Sequence, residues 1–491
     1  MGARLVGPDG GGTVDLETAA GVAVRALRDA GVGAGDRVLL WADNAPPYAA
    51  AVLALMHLDV SLVLLDHRCT PADVRATALA AGASWIVTDR TDAPVPARAV
   101  PLPALDGCAP EPGFSIDARP WRERADALIT WSSGTTGPPK GIVRSGEAFL
   151  GNLERTQRRF GYRPDDVLMP LLPFSHQWGL SLILLAWISG ASLVVAPYTR
   201  VDRALRLAER TRATTIDATP ATYHSLLNVL ARQPALHGAV ATVRRWCTGG
   251  APVNPGLTER FQQVMGHPLL DGYGSTEAGN ITFALPPDPV ACGRPLDGVE
   301  VWITAPDGRP AAPGATGEIW VRSPDLFTAH LSAAGIEPMD HRGGYRTGDL
   351  GFQDADGNLH VLGRKSAVHR SGHTLYPEAI ERTAERCGRP VKIVALDDDR
   401  RGAQLVFVVA DPDGGTPHAW WERLCALLPA YEQPNRVLVV DRLPLNRTGK
   451  VDAAELRRAV LTEFGAEPPS PQSPPSPPSP AAVAGDPVHR T

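Results

Sequence analysis

The chain has 491 residues, of which 44% are hydrophobic and 21% are charged. At roughly 100 to 200 residues per domain, this length predicts two to four compact units, and the composition excludes a mainly disordered chain. The formal net charge is −5 and no basic run occurs, so we expect no nucleic-acid partner.

The cysteines and the N-terminus bear on cellular location. Six cysteines are spread along the chain without a CxxC pair: Cys69, Cys108, Cys247, Cys292, Cys387 and Cys425. This spacing indicates neither a zinc site nor a disulfide framework, and it favours the reducing cytoplasm. No apolar segment of the kind found in secretory signals occurs near the N-terminus.

Amphipathic helices alternate with short apolar strands in the first part of the chain. We predict helices at residues 16–30, 47–58 and 71–81, and strands at residues 37–41, 61–65 and 85–88. This alternation is typical of βαβ units, in which helices cover a parallel sheet. It resumes from residue 146 to about residue 271, which predicts a second sheet layer.

An uncharged run from Gly179 to Thr199 is long enough to suggest a membrane span. Ser189 and Gly190 interrupt the run and Pro197 ends it, so we interpret it as a buried helix and a core strand. The helix is predicted at residues 180–188 and the strand at residues 192–196. We therefore expect no membrane span.

The second half of the chain changes character twice. Short strands separated by Gly and Asp turns are predicted at residues 299–304, 317–321 and 359–362. A smaller α+β unit follows, with helices predicted at residues 377–387 and 418–428 and strands at residues 391–395, 404–409 and 436–440. The expected fold is α/β: an N-terminal domain of two helix-covered sheets and a β-rich subdomain (residues 1–364), a small mobile C-terminal domain (365–465) and a Pro-rich tail (466–491).

The tail reads EPPSPQSPPSPPSP over residues 467–480. Proline at this density favours extended polyproline II, which buries no core, so a disordered tail is preferred over a ligand for SH3-type domains.

One glycine-rich segment suggests phosphate binding. Residues 130–141 read TWSSGTTGPPKG and follow an apolar stretch, residues 127–129, that is predicted to be a strand. Hydroxyl groups and backbone N–H groups in such a segment can converge on phosphate oxygens, with Lys140 adding positive charge. The segment is not a Walker A motif, because Gly141 follows the lysine, and taken alone it also fits an ordinary turn.

Four further motifs follow in order: DGYGSTEAG (271–279), YRTGDLG (345–351), GRKSAVHRSGHTLYPEAIE (363–381) and PLNRTGKVD (444–452). The five motifs together resemble the core motifs of the adenylate-forming superfamily of acyl- and aryl-CoA synthetases, peptide-synthetase adenylation domains and firefly luciferases. The resemblance runs from about Val14 to Leu461. It implies activation of a carboxylic acid by ATP and Mg²⁺ as an acyl-adenylate, with release of pyrophosphate, and then transfer to a thiol.

The resemblance also assigns roles to residues that contact the phosphates and the metal. Thr276 would donate to the α-phosphate and Glu277 would ligate Mg²⁺. The β- and γ-phosphates would be held by Ser132, Ser133, Gly134, Thr135, Thr136, Gly137 and Lys140. These groups suit attack of a carboxylate on a phosphate, in which two anions meet.

A second group of residues would hold the nucleoside. Asp349 would accept hydrogen bonds from the ribose hydroxyls and Arg364 would contact the ribose. Tyr273 would stack on the adenine, and the segment Gly249-Gly250-Ala251-Pro252 would form the opposite wall. Gly274 is assigned to the same ATP/AMP-binding group. Taken singly, Tyr273 also fits a core aromatic residue and Asp349 a turn residue; their occurrence in order favours the functional interpretation.

The C-terminal domain would carry the catalytic Lys450 and rotate between the two half-reactions. Only four of the 48 basic residues are lysines, and Lys140 and Lys450 both fall inside motifs. At the hinge, just after the Gly-Arg pair, the family usually carries Asp or Lys. This chain reads Lys365-Ser366, so Ser366 replaces the usual acidic residue, and this departure bears on the thiol-transfer step. After rotation, the loop at Gly372 would admit the thiol.

Residues 173–180 (PFSHQWGL) resemble the segment that contributes to the acid pocket in these ligases. Ser175 stands where relatives that activate amino acids place Asp, so an α-amino acid is disfavoured. His176 matches a gating histidine near the carboxylate and the thiol path, and it also fits a core residue beside Trp178. Trp178 and Gly249 complete the predicted pocket.

A fatty acid ranks first as substrate, an aromatic acid second and a specialised acid third. The acceptor is expected to be CoA or the phosphopantetheine of a carrier protein, which makes an acyl carrier protein a candidate partner. Two alternatives stay open: transfer of the adenylate to a non-thiol nucleophile, and a catalytically silent nucleotide-binding scaffold.

Overall fold

Residues 3–10, 12–91, 98–105, 113–131, 141–253, 255–305, 307–332, 335–364, 368–370, 373–375, 377–398, 402–446 and 450–464 are described by the structure, a computed structural model. Within these residues, the chain forms five sheets and the helices that cover them. The predicted α/β class, with two large sheets, a β-rich portion and a small α+β portion, is confirmed.

An eight-stranded sheet is built mainly from the N-terminal βαβ units. Its strands are β3 (Arg37–Trp41), β4 (Ser61–Leu64), β5 (Trp85–Thr88), β6 (Arg98–Pro101), β7 (Leu128–Trp131), β8 (Gly141–Arg144), β18 (Ala329–Ser332) and β19 (Gly335–Pro338). Their order is β19-β18-β8-β7-β4-β3-β5-β6, and the pairs from β7 to β6 are parallel. The hairpin β18–β19 is added from a distant part of the sequence, where no strand was predicted.

The second large sheet has nine strands. They are β1 (Arg4–Val6), β2 (Thr13–Asp15), β9 (Val167–Pro170), β10 (Ser192–Val194), β11 (Thr215–Ala218), β12 (Arg245–Gly249), β13 (Leu269–Ser275), β14 (Gly279–Phe283) and β15 (Arg294–Pro295). The order is β15-β14-β13-β12-β11-β9-β10-β1-β2. Every neighbouring pair from β13 to β1 in this order is parallel. Parallel neighbours bring several carboxyl ends to one edge, where α/β proteins place their ligands.

Helices cover both large sheets and lie between them. They are α1 (Leu16–Asp29), α2 (Pro46–His57), α3 (Pro71–Ala81), α4 (Arg119–Glu123), α5 (Gly146–Phe160), α6 (Gln177–Ser189), α7 (Val201–Thr211), α8 (Pro220–Arg232) and α9 (Pro255–Met265), with a 3₁₀ helix at Pro234–Val240. One apolar core joins residues of both sheets with α1, α2, α5 and α6. Because α2 and α6 are covered by core on most sides, their sequences are apolar nearly all round.

The remaining strands form three smaller sheets. The β-rich portion has β16 (Glu300–Thr304), β17 (Gly317–Arg322), β20 (Tyr345–Gln353) and β21 (Leu359–Arg364); the C-terminal portion has β22 (Val368–Arg370), β23 (His373–Leu375), β24 (Val391–Asp398), β25 (Gly402–Ala410) and β26 (Arg436–Val440). The C-terminal helices are α10 (Pro377–Ala384), followed by a 3₁₀ turn at Glu385–Cys387, α11 (Pro417–Leu427) and α12 (Ala453–Phe464).

The run that suggested a membrane span is α6 followed by β10, as predicted, although α6 begins three residues earlier, at Gln177. Across the described residues, no helix combines the length and apolar character that crossing a membrane would require. The predicted boundaries of the two domains and the tail stay predictions.

Candidate functional site

Two residues predicted to contact the nucleoside are in direct contact. Tyr273 lies near the end of β13, and its hydroxyl donates a hydrogen bond to Oδ2 of Asp349 on β20 at 2.6 Å. Asp349 pairs with Arg364 across β20 and β21, so the backbones of these two residues are neighbours. Residues from separate motifs thus meet where β13 approaches the four-stranded sheet.

The predicted opposite wall begins at the end of β12. Gly249 pairs with Gly272 of β13, and a Cβ atom on Gly249 would lie only 2.8 Å from the Gly272 carbonyl oxygen. Gly250 has φ +77°, a left-handed conformation that favours glycine. These two restrictions explain the Gly-Gly pair, which lets the chain turn beside Tyr273 before Ala251 and Pro252.

The C-terminal Lys450 lies beside this turn. Its Cε atom is 4.0 Å from the position that a Cβ atom on Gly250 would occupy. A second contact joins the two portions of the chain, because Nη2 of Arg382 in α10 donates to the Val253 carbonyl at 3.4 Å. The C-terminal portion is therefore seated with its motif lysine next to the predicted nucleoside wall.

Thr276 and Glu277 lie half-buried in the turn between β13 and β14. This turn is fixed by two hydrogen bonds: the Ala278 N–H donates to the Ser275 hydroxyl at 3.1 Å, and the Phe327 N–H donates to the Glu277 carbonyl at 2.7 Å. No group of three or more His, Cys, Asp and Glu side chains that could hold a metal occurs in the described ranges. One carboxylate beside a hydroxyl nevertheless fits Mg²⁺, which is often held by one or two carboxylates and substrate phosphates.

Several residues singled out in the sequence lie outside the described residues: Ser132, Ser133, Gly134, Thr135, Thr136, Gly137, Lys140, Lys365, Ser366 and Gly372. The strands that flank the first of these segments are described, and Trp131 of β7 pairs with Gly141 of β8. The side chain of Arg364 is likewise outside the description.

A buried arginine, which the sequence analysis missed, lies near the predicted metal carboxylate. Arg144 ends β8 and is fully buried, and its Nη2 donates to the Asp325 carbonyl at 2.7 Å. Burial lowers the pKa of Arg144 to about 10, opposed by the negative charges of Asp325 and Glu277. The residue thus supplies a positive charge near Glu277, and its signal in the sequence is a single Arg at the end of an apolar strand.

His176 pairs with a carboxylate that was also missed. Its Nε2 atom lies 3.3 Å from Oδ2 of Asp66, which follows β4 and is 8% exposed. Burial alone would raise the pKa of Asp66, but hydrogen bonds from His176 and from the backbone N–H of Arg68 outweigh it and lower that pKa to about 2. Asp66 therefore stays ionised and orients His176 at the start of α6.

Two other predicted residues of the acid pocket, Ser175 and Trp178, lie close to His176 in the sequence, and Gly249 is on β12. Ser175 is buried, and the loop before it is held by Asn44, whose Oδ1 accepts from the Phe174 N–H at 2.9 Å. The ring of Trp178 lies 3.6 Å from the position of a Cβ atom on Gly249. Trp178 therefore joins the acid-pocket segment to the turn that carries Gly250.

The fold and this arrangement of motif residues define an adenylate-forming enzyme. The chain belongs to the family described as AMP-binding enzyme, whose model matches residues 15–330. The predicted membership of the AMP-forming, adenylate-forming superfamily, with the pattern of acyl-CoA ligases, is confirmed.

Three comparisons show how much of the chain is similar to known members of this class. The chain is 28% identical over 489 residues to 4-coumarate–CoA ligase 3 of Oryza sativa subsp. japonica, covering 90% of this chain and 86% of the ligase. It is 32% identical over 347 residues to indoleacetate–CoA ligase of Aromatoleum aromaticum, covering 68% and 67%. The structure of the amide bond synthetase McbA from Marinactinospora thermotolerans superposes with a TM-score of 0.79 at 26% identity, covering 94% of this chain and 97% of McbA.

These relatives bear on the predicted ranking of substrates. Both named ligases act on acids that contain an aromatic ring. The first rank given to a fatty acid is therefore not supported.

Proposed function

We propose that this enzyme activates an aromatic carboxylic acid with MgATP and transfers the acyl group to a thiol, either CoA or the phosphopantetheine of a carrier protein. The observation that carries the proposal is the meeting of Tyr273, Asp349, Gly250 and Lys450, which come from four separate segments. The names of the two CoA ligases and the aromatic surface of Trp178 support an aromatic acid over a fatty acid.

In the first half-reaction, a carboxylate oxygen of the acid attacks the α-phosphorus and the bond to pyrophosphate breaks. Asp349 holds the ribose hydroxyls, and Tyr273 and the Gly250 turn enclose the adenine. Lys450 and Thr276 stabilise the negative charge that develops at the α-phosphate. Mg²⁺, when bound with the nucleotide at Glu277, would neutralise phosphate charge.

In the second half-reaction, the nucleophile attacks the acyl carbon and AMP leaves. A thiol must lose its proton in this step, and His176 is a candidate acceptor, because Asp66 holds one ring nitrogen at 3.3 Å and leaves the other for the thiol. Asp66 acts here as a positioning residue.

An amine acceptor is the second candidate. It is favoured by one comparison, because McbA is named an amide bond synthetase and is 26% identical over nearly all of both chains. The replacement of the usual acidic hinge residue by Ser366 also bears on thiol transfer, which makes this alternative worth a direct test.

The experiment incubates the full chain with MgATP and a panel of aromatic and aliphatic acids, and measures acid-dependent exchange of pyrophosphate into ATP. We expect exchange and AMP formation with at least one aromatic acid. CoA or a primary amine is then added in parallel, and the rate of product formation identifies the acceptor. Formation of ADP in place of AMP, or the absence of exchange with every acid, would contradict the proposal.

Asp349→Ala should raise the KM for ATP by about 10- to 100-fold, because hydrogen bonds to a charged group contribute roughly 1.5–3 kcal/mol. The relative rates with different acids should stay the same, since Asp349 is assigned only to the ribose. Steady-state exchange kinetics check this, with Asp354→Ala as a control carboxylate just beyond β20. A changed acid preference with a normal KM for ATP would refute the assignment.

Asp66→Asn should slow transfer from a supplied acyl-adenylate by about 10²-fold, the usual size of general acid–base catalysis, and should alter its pH profile. Pyrophosphate exchange should be nearly unchanged, because His176 is not assigned to that step. Asp43→Asn is a matched control, since Asp43 is an exposed carboxylate in the neighbouring loop. Equal losses in both half-reactions would indicate that Asp66 supports the fold alone.

A further inference from the structure

A buried carboxylate lies next to the proposed acid pocket. Asp217 is on β11, 2% exposed, and is the register partner of Cys247 on β12. Its Oδ2 atom has no hydrogen-bond partner among the residues that the structure describes. A buried polar atom that nothing pairs with destabilises the folded state, so an unpartnered Oδ2 indicates that a bound ligand could supply the partner.

Trp178 connects this carboxylate to the pocket. The Trp178 and Cys247 side chains lie near the Asp217 carboxyl and partly oppose the effect of burial, which raises its pKa. The same Trp178 ring packs toward Gly249, at the turn beside Lys450. Trp178 therefore neighbours both the turn beside Lys450 and the Asp217 carboxyl.

The positions of Asp217 and Cys247 on their strands also place them toward the acid-pocket segment. Asp217 and Cys247 both face the apolar core that contains α6, and they lie close to the carboxyl ends of their parallel strands. Ligands of open α/β sheets bind at these ends. The carboxylate is thus placed to meet a bound acid and not the solvent.

We propose that Asp217 recognises a hydrogen-bond donor, an N–H, O–H or ammonium group, on the part of the substrate remote from its carboxyl group. This inference rests on the proposed function and names the substrate class of the same pocket: aromatic acids that carry a distal donor. A purely hydrocarbon acid would leave Oδ2 unpaired, and sites built to bind a donor reject analogues that lack it.

The test uses pairs of acids that differ only in the donor: 4-hydroxycinnamate with cinnamate, indole-5-carboxylate with benzofuran-5-carboxylate, and 4-(aminomethyl)benzoate with 4-methylbenzoate. The full chain is assayed for pyrophosphate exchange with each. We expect the donor-bearing member of at least one pair to have the higher kcat/KM by about 10²-fold, and the pair that responds identifies the kind of donor.

Two variants test the residue itself. Asp217→Leu should remove the preference and raise activity with the matching hydrocarbon acid, and Asp217→Asn, which keeps the size of the side chain, should reduce the preference at least tenfold. Thr215→Val is the matched control, because Thr215 lies two residues earlier on the same strand face and its buried hydroxyl also has no partner among the described residues. Its preference should equal that of the wild type.

The outcomes separate this inference from the proposed function. Exchange at equal rates with both members of every pair would overturn the role of Asp217 and leave the proposed function intact. If no acid supports exchange, the proposed function fails, and binding of the same pairs measured by calorimetry still decides the inference. Equal affinities for both members of each pair, or an unchanged preference in both Asp217 variants, would overturn it.

Discussion

Lys450→Ala should slow acid-dependent adenylation by about 10² to 10³, the usual effect of deleting one preorganised group at a developing charge. In the structure, the side chain of Lys450 already lies beside the Gly250 turn, 4.0 Å from the position of a Cβ atom there. An ammonium at this place can reach a phosphate and a carboxylate that meet between Gly250 and Tyr273. Pyrophosphate exchange under saturating ATP and acid measures the loss.

Transfer from a supplied acyl-adenylate should be nearly spared by the same substitution. In the family that the chain belongs to, the C-terminal domain is expected to rotate between the half-reactions, which removes the lysine from the site. Lys450→Arg should not rescue adenylation, because a planar guanidinium cannot place one compact charge between two oxygens. Arg442→Ala is a suitable control, since Arg442 is an exposed cation shortly before Lys450 in the chain.

Equal losses in both half-reactions would contradict this prediction. They would mean that Lys450 acts mainly through the seating of the C-terminal portion, together with Arg382, or that a single arrangement serves both steps. A single arrangement would fit the unusual Ser366 at the hinge.

The bounds of helices and strands were predictable from the sequence wherever turn residues stand at both ends of a periodic segment. The strands Arg37–Trp41, Trp85–Thr88 and Arg436–Val440 have the predicted bounds, because Gly, Asp and Pro punctuate the chain around them. Pairing between distant segments was not predictable: β1 pairs with β10, although Leu5 and Leu193 are far apart in sequence. Short strands carry no signal of which edge they will extend.

The residues of the candidate site were likewise predictable only in part. The motif residues were found because the five motifs occur in a fixed order, and the structure brings Tyr273 and Asp349 into contact. Asp66, Arg144 and Asp217 were missed because each is a single charged residue within or next to an apolar strand. That pattern is itself a signal, since charged residues are almost never fully buried unless they are paired or functional.

The stability that buried carboxyl groups contribute should fall as the pH rises from about 4 to about 7, because several carboxyl groups, Asp217 and Asp271 among them, have raised pKa values. Burial raises the pKa of Asp217 to about 7, and it raises that of Asp271 to about 7 as well, where the Cys292 thiol donates to Oδ2 at 3.2 Å. In this range the folded state keeps the protons that the unfolded state has released, so unfolding becomes easier with each added pH unit. For one such group the full effect is at most about 4 kcal/mol.

Asp217→Asn should therefore gain stability relative to the wild type as the pH rises from 4 to 8, and Asp271→Asn should do the same; urea unfolding followed by circular dichroism at each pH checks this. Thr215→Val removes no ionisable group and keeps Asp217, so its difference in stability from the wild type should not vary with pH. A variant Asp217→Asn that parallels the wild type at every pH would mean that Asp217 is ionised throughout, stabilised by the neighbouring Arg245. The tyrosines near Asp217, Tyr162 and Tyr223, cannot produce the effect, because burial raises their pKa values well above this range. A substrate acid whose donor group pairs with Oδ2 of Asp217 should reduce the loss of stability above pH 7. Such an acid binds the ionised carboxylate only in the folded protein, and binding to the folded state alone stabilises it.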